Sequence, residues 1–280
     1  MLLSVINSVL EMQSLTRKAD TILGFVPTMG YLHKGHLSLV EMAKKQCDIV
    51  IVSIFVNPTQ FAPNEDLDNY PRDFDGDLKL LTELGVDYVF FPKTTEMYPA
   101  GYSTWVNVEG VSEVLCGKSR PAHFKGVSTI VCKLVNIVNP NYMYMGEKDF
   151  QQIAVLKRML LDLNLETVIV PCPIIREADG LAMSSRNKFL DTQQRQDALC
   201  LYNSIQHTRT RYQQGCRTIG ELIPEIEQII TKNNGKIDYI EFRTADDLKP
   251  IDQLDKNTRL FLAVYIGNTR LIDNAPLLSQ

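Results

Sequence analysis

The chain has 280 residues, 45% of them hydrophobic and 22% charged, which gives apolar material for one large domain or two smaller ones. Its formal net charge of −4 and the lack of any Lys/Arg run argue against nucleic acid as a main partner, though not against a local anion site. No apolar run reaches the roughly 20 residues of a membrane span, so no membrane partner is expected.

The N-terminal MLLSVINSVLEMQSLTRKAD lacks a basic n-region and a small-residue cleavage site, so a signal peptide is not expected and the cytoplasm is the expected compartment. Val5, Ile6, Val9 and Leu10 follow the helical period there. Residues 21–26 are apolar and β-branched enough for a buried strand, and Leu37, Val40 and Ala43 then recur at helical spacing. Residues 48–56 (DIVIVSIFV) are apolar on both faces, as a central parallel strand should be. The pattern continues with a helix over 75–84, a strand over 88–91, a buried helix over 127–138 and a strand over 142–145. A helix over 150–163 and a strand over 167–170 follow. Strands separated by helices specify an α/β fold, a Rossmann-like doubly wound parallel sheet whose ligands bind beyond the carboxyl ends of the strands. Past Pro171 and Pro173 the character changes to helices over 192–213 and 219–231, a strand over 237–242 and a hairpin of 259–266 with 270–272 turning at Gly267 and Asn268. The expected organisation is a catalytic domain over 1–173 and a smaller C-terminal α+β lid domain over 174–280. The six cysteines are scattered without CxxC spacing and read as reduced, structural residues.

Residues 29–36 read MGYLHKGH and place His33 and His36 where a strand turns into a helix. A helix start offers free N–H groups and positive dipole charge, a seat for phosphate, and two imidazoles there can donate to its oxygens. The plain alternative is a pair of exposed turn histidines. Pro58 ends the second strand and holds Asn57 and Gln60 at its carboxyl edge, where amides suit a hydroxy-acid ligand as readily as they suit an ordinary turn. Residues 146–152 read GEKDFQQ: Gly146 permits a tight exit, Asp149 can cap the next helix, and Lys148 is unfavourable at a helix start unless an anion joins it. Residues 182–187 (AMSSRN) place two hydroxyls and the Arg186 guanidinium in one compact loop, either a mobile phosphate clamp or a solvated turn. Arg120 and His123 add cationic donors in a polar loop. Asp73, Asp75 and Asp77 are either Mg²⁺ contacts or the acidic first turn of a helix. Cys116-Gly117-Lys118-Ser119 is not a phosphate loop, because Ser112 stands where that loop needs glycine, and no GxGxxG follows the first strand.

Taken together, FVPTMGYLHKGH, VSIFVNPTQF, RPAHFKGV, GEKDFQQ and READGLAMSSRN resemble the pantoate–β-alanine ligase (pantothenate synthetase) family in order and over nearly the whole chain. HKGH is similar to the HIGH signature of nucleotidyltransferases and class I aminoacyl-tRNA synthetases, and MSSR occupies the place of their KMSKS loop. The resemblance implies attack of the pantoate carboxylate on the α-phosphate of ATP, release of pyrophosphate, and capture of pantoyl adenylate by β-alanine to give pantothenate and AMP. It implies an ATP site of Met29, Gly30, Tyr31, Leu32, His33, Lys34, Gly35 and His36, completed by Gly146, Glu147, Lys148, Asp149, Ile175, Met183, Ser184, Ser185 and Arg186. His36 is implied as proton donor, His33 and Lys148 as its catalytic companions at the phosphates. Gln60 and Gln152 would bind pantoate, and Gln60 also β-alanine. Mg²⁺ should accompany ATP with Asp77 as its protein contact, and a homodimer is implied. A nucleotidyltransferase that makes an ADP-containing cofactor shares the HIGH-like signature, as does a class I synthetase, which would need a basic tRNA surface. A non-catalytic nucleotide sensor would bind ATP without turnover.

Overall fold

The computed structural model describes residues 3–17, 21–62, 65 and 67–278. The chain opens with β1 (Ser4–Ile6), α1 (Val9–Thr16), β2 (Leu23–Thr28), α2 (Lys34–Gln46) and β3 (Ile49–Ile54). A 3₁₀ turn over Pro58–Gln60 leads to α3 (Phe74–Glu83), β4 (Tyr88–Phe90), the short helices α4 (Thr94–Met97) and α5 (Cys116–Ser119), and α6 (His123–Val138). Next come β5 (Tyr142–Gly146), a 3₁₀ turn over Glu147–Asp149, α7 (Phe150–Asp162) and β6 (Val168–Cys172). A 3₁₀ turn over Ser185–Phe189, α8 (Thr192–Asp197), α9 (Leu199–Gln213), α10 (Ile219–Lys232), β7 (Gly235–Thr244), β8 (Thr258–Ile266) and β9 (Thr269–Pro276) complete it.

The first six strands form one parallel sheet in the order β1-β4-β3-β2-β5-β6. The chain therefore winds outward from β2 in one direction and later resumes on its other side with β5. The switch point lies between β2 and β5, and ligands of open α/β sheets bind at such points. Six residue pairs join β2 to β3, but β2 meets β5 only at Gly24↔Tyr142 and Phe25↔Met143. Beyond Phe25 the two strands part. Pro27, which has no N–H to give, falls in the stretch of β2 that β5 no longer accompanies.

Helices cover both faces, and the apolar strand residues sit in two clusters, one under α6 and α7 and one under α2 and α3. The last three strands form an antiparallel sheet, β7-β8-β9, packed on α9 and α10. Tyr239 and Ile272 of that sheet also pack against the core of the parallel one.

Four sequence expectations change. Ser4–Ile6 is an edge strand paired with β4 rather than the start of a helix, and Met1, Leu2 and residues 18–20 of that N-terminal segment lie outside the described residues. Val5 and Ile6 suit either period over so few positions, and the β4 edge decides between them. The helix expected over 192–213 is divided at Ala198 into α8 and α9. Strand β6 runs through Pro171 to Cys172, which an edge position tolerates. Strand β9 extends to Pro276, four residues past the expected end, because Asp273 and Asn274 are buried polar residues that hide the strand pattern.

Candidate active site

The carboxyl ends of β2 and β5 open into a cleft of about 1060 Å³ whose facing wall is the antiparallel sheet. Three short turns carry its polar groups, and each turn is held by side chains from elsewhere in the chain.

The first joins β2 to α2. Asp77, only 2% exposed in α3, accepts from Tyr31 N–H at 2.8 Å and Leu32 N–H at 2.7 Å. Those bonds hold Tyr31 at φ 53°, a left-handed conformation unfavourable for a bulky side chain. At the helix start the histidines cap one another: Gly35 N–H donates to His33 Nδ1 at 3.1 Å, and His33 N–H donates to His36 Nδ1 at 3.3 Å. Both Nδ1 atoms accept, so each neutral ring carries its proton on Nε2. The ring centroids lie 4.1 Å apart. A Cβ on Gly35 would fall 2.9 Å from His33 ring atoms, so glycine lets the imidazole fold back over the helix start. Burial, then the charge of His33, pushes His36 down to about 3, and burial followed by the Lys148 ammonium lowers His33. The pair consists of neutral N–H donors at a helix N-terminus, where an anion is favoured.

The second turn is Pro58–Gln60. Asn57, 1% exposed, accepts from Thr59 Oγ1 at 3.0 Å and Tyr98 Oη at 2.8 Å, and donates to Gly126 O at 3.2 Å and Gln60 Oε1 at 3.1 Å. The Gln60 carboxamide therefore turns its NH₂ toward Met29, whose Sδ lies 3.0 Å away on the cleft wall. His123 Nδ1–H donates to the Gln60 carbonyl at 3.0 Å and Arg120 Nη2 donates to it at 3.3 Å, while Arg120 forks onto Glu65. Burial, reinforced by Arg120, pushes His123 down to about 4.

The third turn, Glu147–Asp149, leaves β5 beside the histidines. The Lys148 ammonium lies 3.5 Å from Asp149 Oδ1, with its side chain 19% exposed. Facing it, Met183 N–H donates to Ile175 O at 3.0 Å, and Ser184 Oγ accepts from Arg186 N–H at 3.3 Å to start the Ser185–Phe189 turn. Lys188 sits 4.7 Å over the Tyr31 ring, linking that turn to the loop before α2.

One region of space thus gathers imidazole N–H groups, an ammonium, a guanidinium, hydroxyls and two carboxamides. The sequence profile of the family described as "Pantoate-beta-alanine ligase" matches residues 4–276. The chain belongs to the pantoate–β-alanine ligase family. It is 51% identical over 274 residues to the pantothenate synthetase of Caldicellulosiruptor saccharolyticus, which covers 96% of this chain and 98% of that one. The Geobacter sulfurreducens pantothenate synthetase is 50% identical over 277 residues, covering 98% of each chain. Among solved structures, the pantothenate synthetase of Thermus thermophilus superposes with a TM-score of 0.94 at 40% identity, covering 99% of this chain and 100% of that one. The Francisella tularensis ligase, solved in complex with β-γ ATP and β-alanine, gives 0.82 at 36% identity with 99% of each chain covered. A nucleotidyltransferase or class I synthetase reading of the HIGH-like signature gives way to the ligase.

Of the residues expected at the ligase site, Met29, His33, Gly35, His36, Gln60, Gly146, Lys148, Asp149 and Gln152 line the cleft, as do Ile175, Met183, Ser184, Ser185 and Arg186. Gly30, Tyr31, Leu32, Lys34 and Glu147 do not. Tyr31 and Leu32 give their amides to Asp77, Lys34 is exposed, and Glu147 points away to pair with Arg259 at 2.9 Å. Asp77, expected as a metal contact, does not line the cleft either: it is buried, and both its oxygens accept from backbone amides. Asn57 is buried scaffolding for Gln60, and Asp149 makes no side-chain cap to α7. Sequence reasoning missed the wall opposite: Tyr239, Phe261 and residues 268–274 line the cleft from the antiparallel sheet. The signal was present as Arg259, Asp273 and Asn274, charged or amide side chains inside otherwise apolar strands.

Proposed function

We propose that this chain joins pantoate to β-alanine at the expense of ATP through a pantoyl-adenylate intermediate, with His33, His36 and Lys148 as the catalytic groups. The observation that carries the reading is the convergence of these three side chains on the β2/β5 opening, with the oriented Gln60 amide in the same cleft. ATP lies with its phosphates over the start of α2, contacted by Met29, Gly35, Gly146, Asp149, Ile175 and the Met183, Ser184, Ser185 and Arg186 segment. Gln60 and Gln152 hold pantoate so that its carboxylate faces the α-phosphate in line with the departing pyrophosphate. As charge gathers on the α-phosphate oxygens, the Nε2–H groups of His33 and His36 donate to them and Lys148 neutralises them. The amine of β-alanine, placed beside Gln60, then attacks the acyl carbon and AMP departs.

Among the described residues no group of three or more His, Cys, Asp or Glu is arranged to hold a metal ion. The donor set fits Mg²⁺ carried by the triphosphate, which usually keeps waters and takes one or two carboxylates. Asp149, next to Lys148 on the cleft wall, is the carboxylate that would meet it, and the ion would supply charge neutralisation. We also place the division between catalytic and lid domains at 173/174. The reading extends to a homodimer in the cytoplasm: Leu161, Leu163 and Val168, on α7, after it and at the β6 edge, are apolar and exposed as a self-association face would be. No helix among the described residues is long and apolar enough to cross a membrane.

The test is incubation with ATP, Mg²⁺, pantoate and β-alanine, following AMP, pyrophosphate and pantothenate in equal amounts. Omission of β-alanine should leave enzyme-bound pantoyl adenylate and a single burst of pyrophosphate. A product that keeps the nucleotide, or ATP binding without turnover, would overturn the proposal.

A further inference from the structure

The turn that carries Lys148 is held by a residue far away in sequence. Asn274 of β9, 3% exposed, donates through Nδ2 to the carbonyl of Glu147 at 3.0 Å and to the carbonyl of Lys148 at 2.9 Å. Its Oδ1 accepts from Arg259 Nη1, which fixes the amide so that its NH₂ can only face the turn. Arg259 is itself 4% exposed, donates to Glu147 Oε2 at 2.9 Å and stacks 3.7 Å over the Phe150 ring. One amide therefore holds the backbone on both sides of the Lys148 Cα, with a buried guanidinium locking that amide. The neighbouring Asp273 takes a fork from Arg176 at 2.7 and 3.0 Å, next to the strand bridge that leads into Met183. Adjacent residues of β9 thus reach both polar lips of the cleft.

We infer that Asn274 is a positioning residue for Lys148: docking of the antiparallel sheet, through this amide, sets the path of the turn and with it the place of the ammonium against the α-phosphate. A displacement near 1 Å can lower a rate about 100-fold, so a smaller shift of the ammonium on losing this support should still cost about tenfold. The inference rests on the reading of Lys148 as the group that meets the phosphates.

The experiment measures single-turnover pantoyl-adenylate formation, with KM for ATP and pantoate, in Asn274→Ala, Asn274→Asp, Lys148→Ala and the Asn274→Ala/Lys148→Ala pair. Asn274→Asp keeps the size and the tie to Arg259 but turns oxygen toward two carbonyl oxygens. Both Asn274 variants should slow adenylation about tenfold or more, with KM for pantoate changed less than twofold. In the Lys148→Ala background the Asn274 change should have little further effect, which a general loss of stability would not reproduce. Normal adenylation in both Asn274 variants beside a slow Lys148→Ala overturns this inference alone. Normal adenylation in Lys148→Ala overturns the reading of Lys148 and this inference with it. Independent, multiplying effects in the double variant, or failure of both Asn274 variants to elute as folded protein, make Asn274 a residue of the fold and overturn its positioning role.

Discussion

Replacing Gly126 with alanine tests whether the Gln60 turn is placed by close backbone approach. A Cβ at Gly126 would stand 2.3 Å from Thr59 O and 2.7 Å from Gln60 Cα, where ordinary contact starts at 3.4 Å. Helix α6 cannot give way, because Val127, Ile130 and Val131 anchor it in the core. The Thr59–Gln60 backbone must therefore retreat by about 1 Å, which stretches the Asn57–Gly126 and His123–Gln60 bonds together. Overpacking of this kind destabilises by about 1–3 kcal/mol. Displacement of the carboxamide should lower kcat/KM for pantoate by about 10- to 100-fold. ATP affinity should change little, since the histidine turn is held by Asp77 instead. The assay is steady-state kinetics with each substrate varied, beside titration of ATP and thermal unfolding. Gly220→Ala is the control: that position is exposed in α10, its Cβ would meet only Thr218 Cγ2 at 4.0 Å, and it should be neutral or stabilising by up to about 1 kcal/mol. Wild-type pantoate kinetics in a normally stable Gly126→Ala protein would refute the reasoning.

His36→Ala should slow single-turnover adenylation by ~100-fold or more, as loss of a preorganised donor does, and an unchanged rate would remove His36 from the step. His36 and His123 lie at about 3 and about 4 in the fold against an ordinary 6.5, so acidification protonates the unfolded chain first. Stability should be complete above pH 6.5 and decline toward pH 4, by about 2 kcal/mol per histidine at pH 5. Urea unfolding at pH 7 and pH 5 checks the sign, and His123→Asn should flatten the slope. Asp77→Asn turns an NH₂ toward Tyr31 or Leu32 N–H and should destabilise by about 1–3 kcal/mol without moving the Mg²⁺ dependence of the rate; a shifted Mg²⁺ midpoint would restore Asp77 as a metal contact. Gln152→Ala should weaken pantoate binding more than ATP binding in separate titrations, and equal weakening would contradict its assignment.

The sequence by itself determined the alternation of strands and helices, the parallel sheet, the hairpin at Gly267 and Asn268, and the short motifs that carry the histidines, Gln60, Lys148 and Arg186. These are local properties: apolar period, turn chemistry and short motifs are written within a few consecutive positions. Tertiary structure decided which polar residues work at the cleft and which hold it. Asp77 and Asn57 are chemically suited to metal or substrate, yet packing buries them and gives their oxygens to amides or hydroxyls. Glu147 stands beside Lys148 in the chain but faces Arg259, because the 3₁₀ turn sends neighbouring side chains in different directions. The contribution of Asn274 was illegible for a related reason. A contact spanning 126 residues leaves no periodic trace, and only the docking of one sheet against the other brings its amide to the lysine turn.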